Sequence, residues 1–441
     1  MLKTGLDYFE VYAHVARLET VRLIIAIGCG RNWPMYLLDV KSAFLNGPLD
    51  EVLYVTQPPG FEIKGKEDMV FRLHKALYGL KQAPRAWNKR INSFQQEFVK
   101  YKSEYGMYVK KGKVGNQILI CLYVDDLILT GSNMNEIEAF KVQMTKEFQM
   151  ANLGKLTYIL GMEVTEISEG LVMYQMKYAS DILKRFNMLS CNLASSPVEV
   201  NVKLVINEDE ELVDSTLFKQ VVGSLRYLCN SRPYIAYAVR IISRFMSEPR
   251  ASHLLVAKRA MKYIKGTLEY GILFPKCLNE DYMELMAYYD ADCCGDKQDR
   301  KRTSGYLFKF LDAPISWCAK KQPVVALSTR EYEYIAGCLA ACQEVWLEST
   351  LKEMEIEVNI PIALFTHNKS PINLAKNPVL HGRSKHIEAK FYFLREQVNK
   401  EALKVIHCST EMQLADMFNK HVKVDRFIKL RSLIGMVKVQ T

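Results

Sequence analysis

Two adjacent aspartates interrupt an apolar run. The segment "ILICLYVDDLILTG" (118–131) is aliphatic except near its middle, where Asp125 and Asp126 stand. Its two halves have the composition of buried strands, which places the doublet at the tight turn of a β-hairpin. Asp39 ends another predicted strand, "MYLLDV". If these strands are neighbours in one sheet, Asp39 and Asp125 converge at a strand end.

Clustered carboxylates repel one another, and Mg2+ relieves that repulsion because it prefers hard oxygen ligands. Two such ions would activate a hydroxyl nucleophile and steady a leaving pyrophosphate, which is the chemistry of nucleotidyl transfer. An Asp-Asp pair taken alone is also what a solvent-exposed turn carries. From the pair alone, the exposed turn is favoured over the metal site.

The bulk composition limits the possible classes of protein. A chain of 441 residues is too long for one ordinary core, so we expect two or three domains. The net charge of +10 suits a polyanionic partner, although many basic proteins bind none. The 11 cysteines are scattered without a CxxC pair, which favours reduced thiols over disulfides or a zinc site. With no secretory signal and no apolar span of about 20 residues, a soluble, intracellular chain without membrane contact is predicted.

The elements predicted around these residues form two α/β regions. A polar interval over 207–215 is predicted to be a loop. Before it we expect strands in the opening stretch and in "KLTYILGMEVTEI", and a helix over 84–100. After it come helices, among them a basic one over 250–266, and then a new mixed sheet from about Tyr282.

The first region resembles the palm of a copia-type retrotransposon reverse transcriptase. The phrases that carry the resemblance are "LLDVKSAFLNG", "TQPPGF", "LYGLKQAPRAWN", "YVDD" and "LGKLTYILGMEV". The resemblance implies that Asp39 and Asp125 hold two Mg2+ ions, with Asp126 beside them. It places Phe44 against the ribose 2′-position, where it would select deoxynucleotides, and Gln82 against the incoming nucleotide and template. Without the family, Phe44 would be a core side chain and Gln82 a helix-start glutamine.

The last region resembles the ribonuclease H domain that follows the polymerase in copia-type elements. The matching phrases are "RKRTSGYLF", "ISWCAKKQPVVALST", "LAKNPV" and "SKHIEAKFYFLRE". The family uses four carboxylates to bind two Mg2+ ions that activate water against RNA paired to DNA. Asp290, Glu333 and Asp416 would be three of them, and His367 stands where the family has the fourth, an aspartate. Imidazole is a poor Mg2+ ligand, so we expect strongly reduced or absent nuclease activity.

Other departures from the family pattern suggest a degenerate copy. His14, Cys293 and Glu388 stand where the family has proline, tryptophan and aspartate. The family's polymerase also begins before residue 1, with a fingers segment containing a Lys-x-Arg motif, so an N-terminally truncated fragment is expected. The candidate partners are a second copy of the chain in a dimer and a separate chain that supplies the missing segment. The alternative to a residual polymerase is a catalytically inactive nucleic-acid-binding relic.

Basic side chains are expected to bind the nucleic acid. Lys258, Lys262 and Lys265 fall on one helix face, which suits either an ordinary solvated face or a track for a primer–template or RNA/DNA hybrid. His381 and His386 lack partner cysteines and are expected to form local hydrogen bonds and bind no zinc.

The predicted architecture is therefore multidomain, α/β and α+β. It consists of a right-hand polymerase palm with partial fingers, a helical thumb or connection, and a C-terminal ribonuclease H-like mixed sheet with helices. The expected ranges are 1–198 for the reverse transcriptase portion, 199–280 for the thumb or connection, 281–425 for the ribonuclease H-like domain and 426–441 for a C-terminal tail.

Overall fold

The structure, a computed structural model, describes residues 15–94, 98–111, 116–200, 202, 204–277, 283–292, 300–326, 328–369, 372 and 393–439. The chain forms two compact units. One comprises Met1–Ile24 with Trp33–Leu156, and the other Ile25–Asn32 with Thr157–Thr441. No helix in the described ranges is both long enough and apolar enough to cross a bilayer.

The first unit is built on an antiparallel six-stranded sheet of order β4-β5-β6-β7-β1-β8. Its strands are β1 (Met35–Val40), β4 (Val99–Lys100), β5 (Met107–Lys111), β6 (Gln117–Tyr123), β7 (Asp126–Gly131) and β8 (Met150–Lys155). A separate ribbon pairs β2 (Pro48–Thr56) with β3 (Val70–Lys75). The helices are α1 (Leu18–Gly30), whose second half belongs to the other unit, α2 (Ala83–Phe94) and α3 (Met134–Glu147).

One face of this sheet packs against α2 and α3. Alternate residues of the strands, such as Leu38 of β1 and Leu127 of β7, share a buried core with Trp87 of α2 and Phe140 of α3. Because successive side chains of a strand point to opposite faces, Asp39 and Asp126 belong to the other face. The alternation therefore separates the core from the acidic residues.

Two predicted elements of this region are wrong in part. The helix predicted over 84–100 is too long, because Val99 and Lys100 form β4 and pair with Val109 and Tyr108. The opening stretch, predicted as a strand, is helical from Leu18, and its first 14 residues lie outside the described part. A run that is apolar except for one residue, such as "VRLIIAIG" with its Arg22, does not distinguish a buried helix from a buried strand by periodicity.

The second unit begins with a five-stranded antiparallel sheet of order β18-β12-β11-β10-β9. Its strands are β9 (Tyr158–Ile159), β10 (Met162–Ile167), β11 (Gly170–Tyr174), β12 (Tyr270–Pro275) and β18 (Met436–Lys438). The helices of this region are α4 (Met176–Arg185), α5 (Ser215–Leu228), α6 (Ala236–Ile242) and α7 (Ala251–Lys265). This sheet combines strands from three of the ranges expected from the sequence. Its strand β11 lies before position 198, β12 lies after it, and β18 lies beyond position 425.

A mixed five-stranded sheet of order β15-β14-β13-β16-β17 completes the second unit. The strands are β13 (Leu285–Ala291), β14 (Thr303–Phe310), β15 (Ala313–Lys321), β16 (Ile362–Thr366) and β17 (Leu403–His407). The first three are antiparallel, and β13, β16 and β17 run parallel. The helices here are α8 (Thr329–Glu353), α9 (Asp416–Asn419) and α10 (Val424–Leu433). Both α8 and α9 contact β13 and β14, so strand and helix side chains meet at the centre of this sheet.

Candidate functional site

The aspartate doublet lies at a tight hairpin, as predicted. Tyr123 of β6 pairs with Asp126 of β7, which leaves Val124 and Asp125 as a two-residue loop. Val124 has a φ of 58°, in the left-handed region that β-branched residues rarely adopt. The turn therefore holds the backbone between the two strands in a strained conformation.

Asp39 faces this hairpin from the neighbouring strand. It is the direct antiparallel partner of Asp126 in the register of β1 with β7, and side chains of directly opposed residues lie on the same face of a sheet. The backbone N–H of Val40 donates to the carbonyl of Asp125 at 3.0 Å, which ties the loop to the end of β1. Three carboxylates are thus gathered at one sheet edge.

A tryptophan of α2 supports the turn by a hydrogen bond to its backbone. The indole Nε1–H of Trp87 donates to the Val124 carbonyl at 2.7 Å. Trp87 is buried and packs edge-on against Phe148, with ring centroids 5.4 Å apart. This contact is missing from the predicted site, because the helix pattern of α2 marks Trp87 only as a core residue.

The electrostatics of the hairpin favour a cation. Burial, followed by the negative charges of Asp125 and Asp39, raises the pKa of Asp126 to about 6. A divalent cation bound among the three carboxylates would remove this repulsion, and all three offer the hard oxygen ligands that Mg2+ prefers. Among the described residues, however, only Asp290, Glu333 and His367 bring three potential ligand atoms within 4.8 Å of one another.

Phe44 and Gln82 lie in neighbouring segments of the same unit. Phe44, on a short 3-10 helix after β1, is half-buried, packs against the small cluster around Ala83 and contacts Tyr78 at 4.9 Å between ring centroids. Gln82 is buried just before α2, and neither atom of its side-chain amide has a hydrogen-bond partner. A buried amide without partners is uncommon in folded proteins, and a bound ligand is one way to satisfy it.

The second acidic site lies in the mixed sheet. Asp290 on β13 and Glu333 on α8 are almost fully buried, and His367 follows the end of β16. Within the described residues, these three form the set of potential metal ligands whose ligand atoms all lie within 4.8 Å of one another. His367 is thus part of the cluster that the sequence places it in.

Basic side chains already occupy much of this second site. His367 Nδ1 lies 3.0 Å from Asp290 Oδ1, and Asn419 Nδ2 donates to Asp290 Oδ2 at 2.8 Å. The Lys420 ammonium bridges two carboxylates, 3.0 Å from Asp290 Oδ2 and 2.5 Å from Asp416 Oδ1. The other oxygen of Asp416 pairs with Arg426. Lys420 follows Asp416 by four residues, a spacing that brings side chains together on a helix and could have revealed this contact.

The pKa values of Asp290, Glu333 and His367 are shifted from their ordinary values. Burial alone would raise the pKa of Asp290, but the His367 contact and the Lys420 charge outweigh it, and the pKa lies well below the usual range. Burial and the charge of Asp290 raise the pKa of Glu333 well above its usual range. Contact with Asp290 raises the pKa of His367. Two Mg2+ ions do not fit this arrangement, because an imidazole replaces one carboxylate and an ammonium bridges two others.

The three lysines of the basic helix differ in their surroundings. Lys258 is exposed and Lys262 half-buried on α7, whereas the Lys265 ammonium donates to the Cys191 carbonyl at 2.6 Å. Arg259, between them, pairs with Glu199. The remaining sequence-based assignments, to His14, Cys293, His381, His386 and Glu388, lie outside the described residues.

An antiparallel sheet with carboxylates at a hairpin is the arrangement expected of a reverse transcriptase palm, and the mixed sheet carries a second acidic site. Comparison with known proteins agrees. The family model described as "Reverse transcriptase (RNA-dependent DNA polymerase)" matches residues 2–200. The chain belongs to the reverse transcriptase family found in the Pol polyproteins of copia-type retrotransposons.

Three relatives illustrate the match. The retrovirus-related Pol polyprotein from transposon RE1 of Arabidopsis thaliana is 36% identical over 99% of this chain and 30% of the relative. That from transposon TNT 1-94 of Nicotiana tabacum is 36% identical over 98% of this chain and 33% of the relative. The putative transposon Ty5-1 protein of Saccharomyces cerevisiae is 33% identical over 68% of this chain and 98% of the relative. The chain thus spans about a third of the length of the two Pol polyproteins.

Proposed function

We propose that this chain is an RNA-directed DNA polymerase whose site of nucleotidyl transfer is formed by Asp39, Asp125 and Asp126. Its substrates would be deoxynucleotides, and its partner a primer–template nucleic acid. The observation that carries the proposal is the register of β1 with β7, which sets Asp39 directly opposite Asp126 beside the loop that holds Asp125.

The three carboxylates would hold divalent ions, Mg2+ in the simplest case. When bound, such ions stabilise the attacking 3′-oxygen and the leaving pyrophosphate. The chain's own contribution is to keep the carboxylates in place: Val40 N–H and the Trp87 indole fix the loop on both sides of Val124. Because Asp126 holds its proton up to about pH 6, cation binding there is coupled to release of that proton.

Two further residues would position the nucleotide. The Phe44 ring, set after β1 and packed on Tyr78, would restrict the space at the ribose 2′-position. The unpartnered amide of Gln82 would hydrogen-bond the incoming nucleotide or the template. Both roles follow from the family resemblance, and the half-buried ring and the unsatisfied amide support them.

Primer extension tests the polymerase proposal. Oligo(dT) annealed to poly(rA) is extended with dTTP and Mg2+ by the wild-type chain and by Asp125→Asn. We expect Asp125→Asn to lose at least about a thousandfold in rate, since removal of a metal ligand forfeits part of a rate enhancement of roughly 8–23 kcal/mol. Asp50→Asn is the matched control, because Asp50 is an exposed residue of the same unit paired with Lys89, and it should retain the wild-type rate.

The alternative function is a catalytically inactive binder of nucleic acid. This alternative is supported if the wild-type chain binds primer–template but extends no primer at any Mg2+ concentration. Extension that Asp125→Asn leaves intact would refute the assignment of the site.

The ribonuclease H-like site is proposed to be impaired. The residues in catalytic positions would be Asp290, Glu333 and Asp416, and His367 would remove the fourth negative charge that two Mg2+ ions require. The pairing of Asp416 with Lys420 and Arg426 supports this, because it neutralises a further carboxylate. We expect His367→Asp to cleave an RNA/DNA hybrid faster than the wild-type chain in Mg2+. A measurable wild-type rate equal to that of His367→Asp would contradict the impairment.

The remaining ranges complete the proposal. Residues 1–198 would be the reverse transcriptase portion, 199–280 a thumb or connection, 281–425 the ribonuclease H-like domain and 426–441 its C-terminal extension. Lys258 and Lys262 of α7 would contact the phosphates of a bound hybrid, whereas Lys265 would contribute less because its ammonium already donates to Cys191. An intracellular location is proposed, as expected for a retrotransposon product.

A further inference from the structure

The acidic site of the mixed sheet has two unequal halves. On one side, Asp290 and Asp416 share the Lys420 ammonium. On the other side, Asp290, Glu333 and His367 bring their ligand atoms within 4.8 Å of one another. The first half already contains a positive charge. The second half contains two carboxylates and an imidazole.

One buried oxygen of the second half, Glu333 Oε2, lacks a hydrogen-bond partner. The other two ligand atoms, Asp290 Oδ1 and His367 Nδ1, face each other at 3.0 Å. Asp290 is 0% and Glu333 1% exposed, so water satisfies these atoms poorly. Buried polar atoms of this kind are destabilising unless something binds them.

The spacing of two of these atoms suits a shared ion. Asp290 Oδ1 and His367 Nδ1 lie 3.0 Å apart. Two ligand atoms at right angles around an ion, each bonded at about 2.1 Å, would be about 3 Å apart. Glu333 is close enough to supply a third ligand. The three side chains thus form an incomplete ligand shell around one point.

The donor set decides which ion is preferred. Mg2+ prefers an all-oxygen octahedral shell, whereas imidazole suits the divalent ions of the first transition series, which also accept carboxylates. The Lys420 ammonium beside Asp290 would repel a second divalent ion. One ion is therefore expected where an all-carboxylate site would take two.

We propose that Asp290, Glu333 and His367 bind a single divalent transition-metal ion of the Mn2+ to Zn2+ series in preference to Mg2+, with the Lys420 ammonium in the place of a second ion. This inference is independent of the polymerase activity. It concerns binding, so it holds or fails whether or not the chain cleaves RNA.

Titration of the full chain with Mn2+ tests the proposal, with free Mn2+ measured by its electron paramagnetic resonance signal. We choose Mn2+ because it binds thiolates weakly, whereas softer ions would also bind to some of the 11 cysteines of the chain. We expect one tight site per chain that a hundredfold excess of Mg2+ leaves largely filled. His367→Ala should weaken it at least about tenfold, by analogy with losses seen for altered metal shells.

Matched variants locate the site. His407→Ala removes an exposed histidine of the neighbouring strand β17 and should bind Mn2+ as the wild-type chain does. His367→Asp should bind Mn2+ and Mg2+ with much less discrimination, a change that a purely structural role of His367 would not produce. Lys420→Met should raise the number of bound Mn2+ ions by one.

Three results would overturn the proposal. The first is the absence of a tight Mn2+ site in the wild-type chain. The second is binding that His367→Ala does not weaken although circular dichroism shows the variant folded. The third is displacement of Mn2+ by an equal concentration of Mg2+. An unchanged number of ions in Lys420→Met would refute the role given to the ammonium.

Discussion

Glu344, a fully buried carboxyl on α8, should make the second unit less stable as the pH rises. Neither of its carboxyl oxygens has a hydrogen-bond partner, and burial, followed by the charge of Glu348, raises its pKa from 4.5 to about 8. The folded state therefore keeps a proton that the unfolded state releases above its ordinary pKa. Stability is highest below about pH 4.5 for this group and falls as the pH rises toward 8.

The size of the effect follows from the shift. Each unit of pKa difference corresponds to 1.36 kcal/mol. Ionisation of Glu344 in the unfolded chain therefore lowers the free energy of unfolding by about 3 kcal/mol at pH 7 and by about 1 kcal/mol or less at pH 5. Glu344→Gln removes the titratable group and keeps its shape. The variant should therefore exceed the wild-type chain in stability by about 3 kcal/mol at pH 7, with most of the gain lost at pH 5.

Hydrogen exchange of the α8 amides measures this difference within one helix, without assuming that the two units unfold together. Glu353→Gln, on the same helix but only half-buried, is the control and should change the opening free energy by less than about 0.5 kcal/mol. Equal stabilisation by Glu344→Gln at both pH values would refute the reasoning. So would a loss of stability at pH 7.

Two further predictions concern the first unit and the basic helix. Trp87→Phe leaves the Val124 carbonyl without its donor and should lower the free energy of unfolding by about 1–3 kcal/mol, as measured by urea denaturation; unchanged stability would mean that the indole does not support the turn. Replacing Lys258 and Lys262 together with alanine should reduce the slope of log K against log salt for hybrid binding by about 2, whereas Lys265→Ala should reduce it by less than 1. Equal changes would argue against the distinction among the lysines.

Much of the fold could be predicted from local pattern. The strand "MYLLDV" has the bounds predicted for it, and the basic helix predicted over 250–266 is α7, Ala251–Lys265. Short edge strands could not be predicted in the same way. Val99–Lys100 and Met436–Lys438 are strands only because a partner strand lies beside them, and that partner is distant in sequence or has no periodic signal of its own.

The same distinction between local sequence pattern and tertiary contacts applies to the candidate sites. The family resemblance suggests carboxylate clusters at positions 39, 125, 290 and 333. The register of β1 with β7 places Asp39 opposite Asp126, and the ligand atoms of Asp290 and Glu333 lie close together. The contacts that neutralise or support them depend on tertiary packing. Asn419 reaches Asp290 because α9 packs against β13, and Arg426 of α10 reaches Asp416 at the start of α9.

The central claim is that Asp39 and the aspartate doublet act as one site, and a double-mutant cycle in single-nucleotide incorporation tests it most directly. The rate of dTTP addition to oligo(dT) on poly(rA) is measured for the wild-type chain, Asp39→Asn, Asp125→Asn and the double variant. Residues that act as a unit are strongly non-additive, so each single variant should lose nearly as much rate as the double variant. Wild-type incorporation by Asp39→Asn, or losses that simply multiply in the double variant, would contradict a shared site.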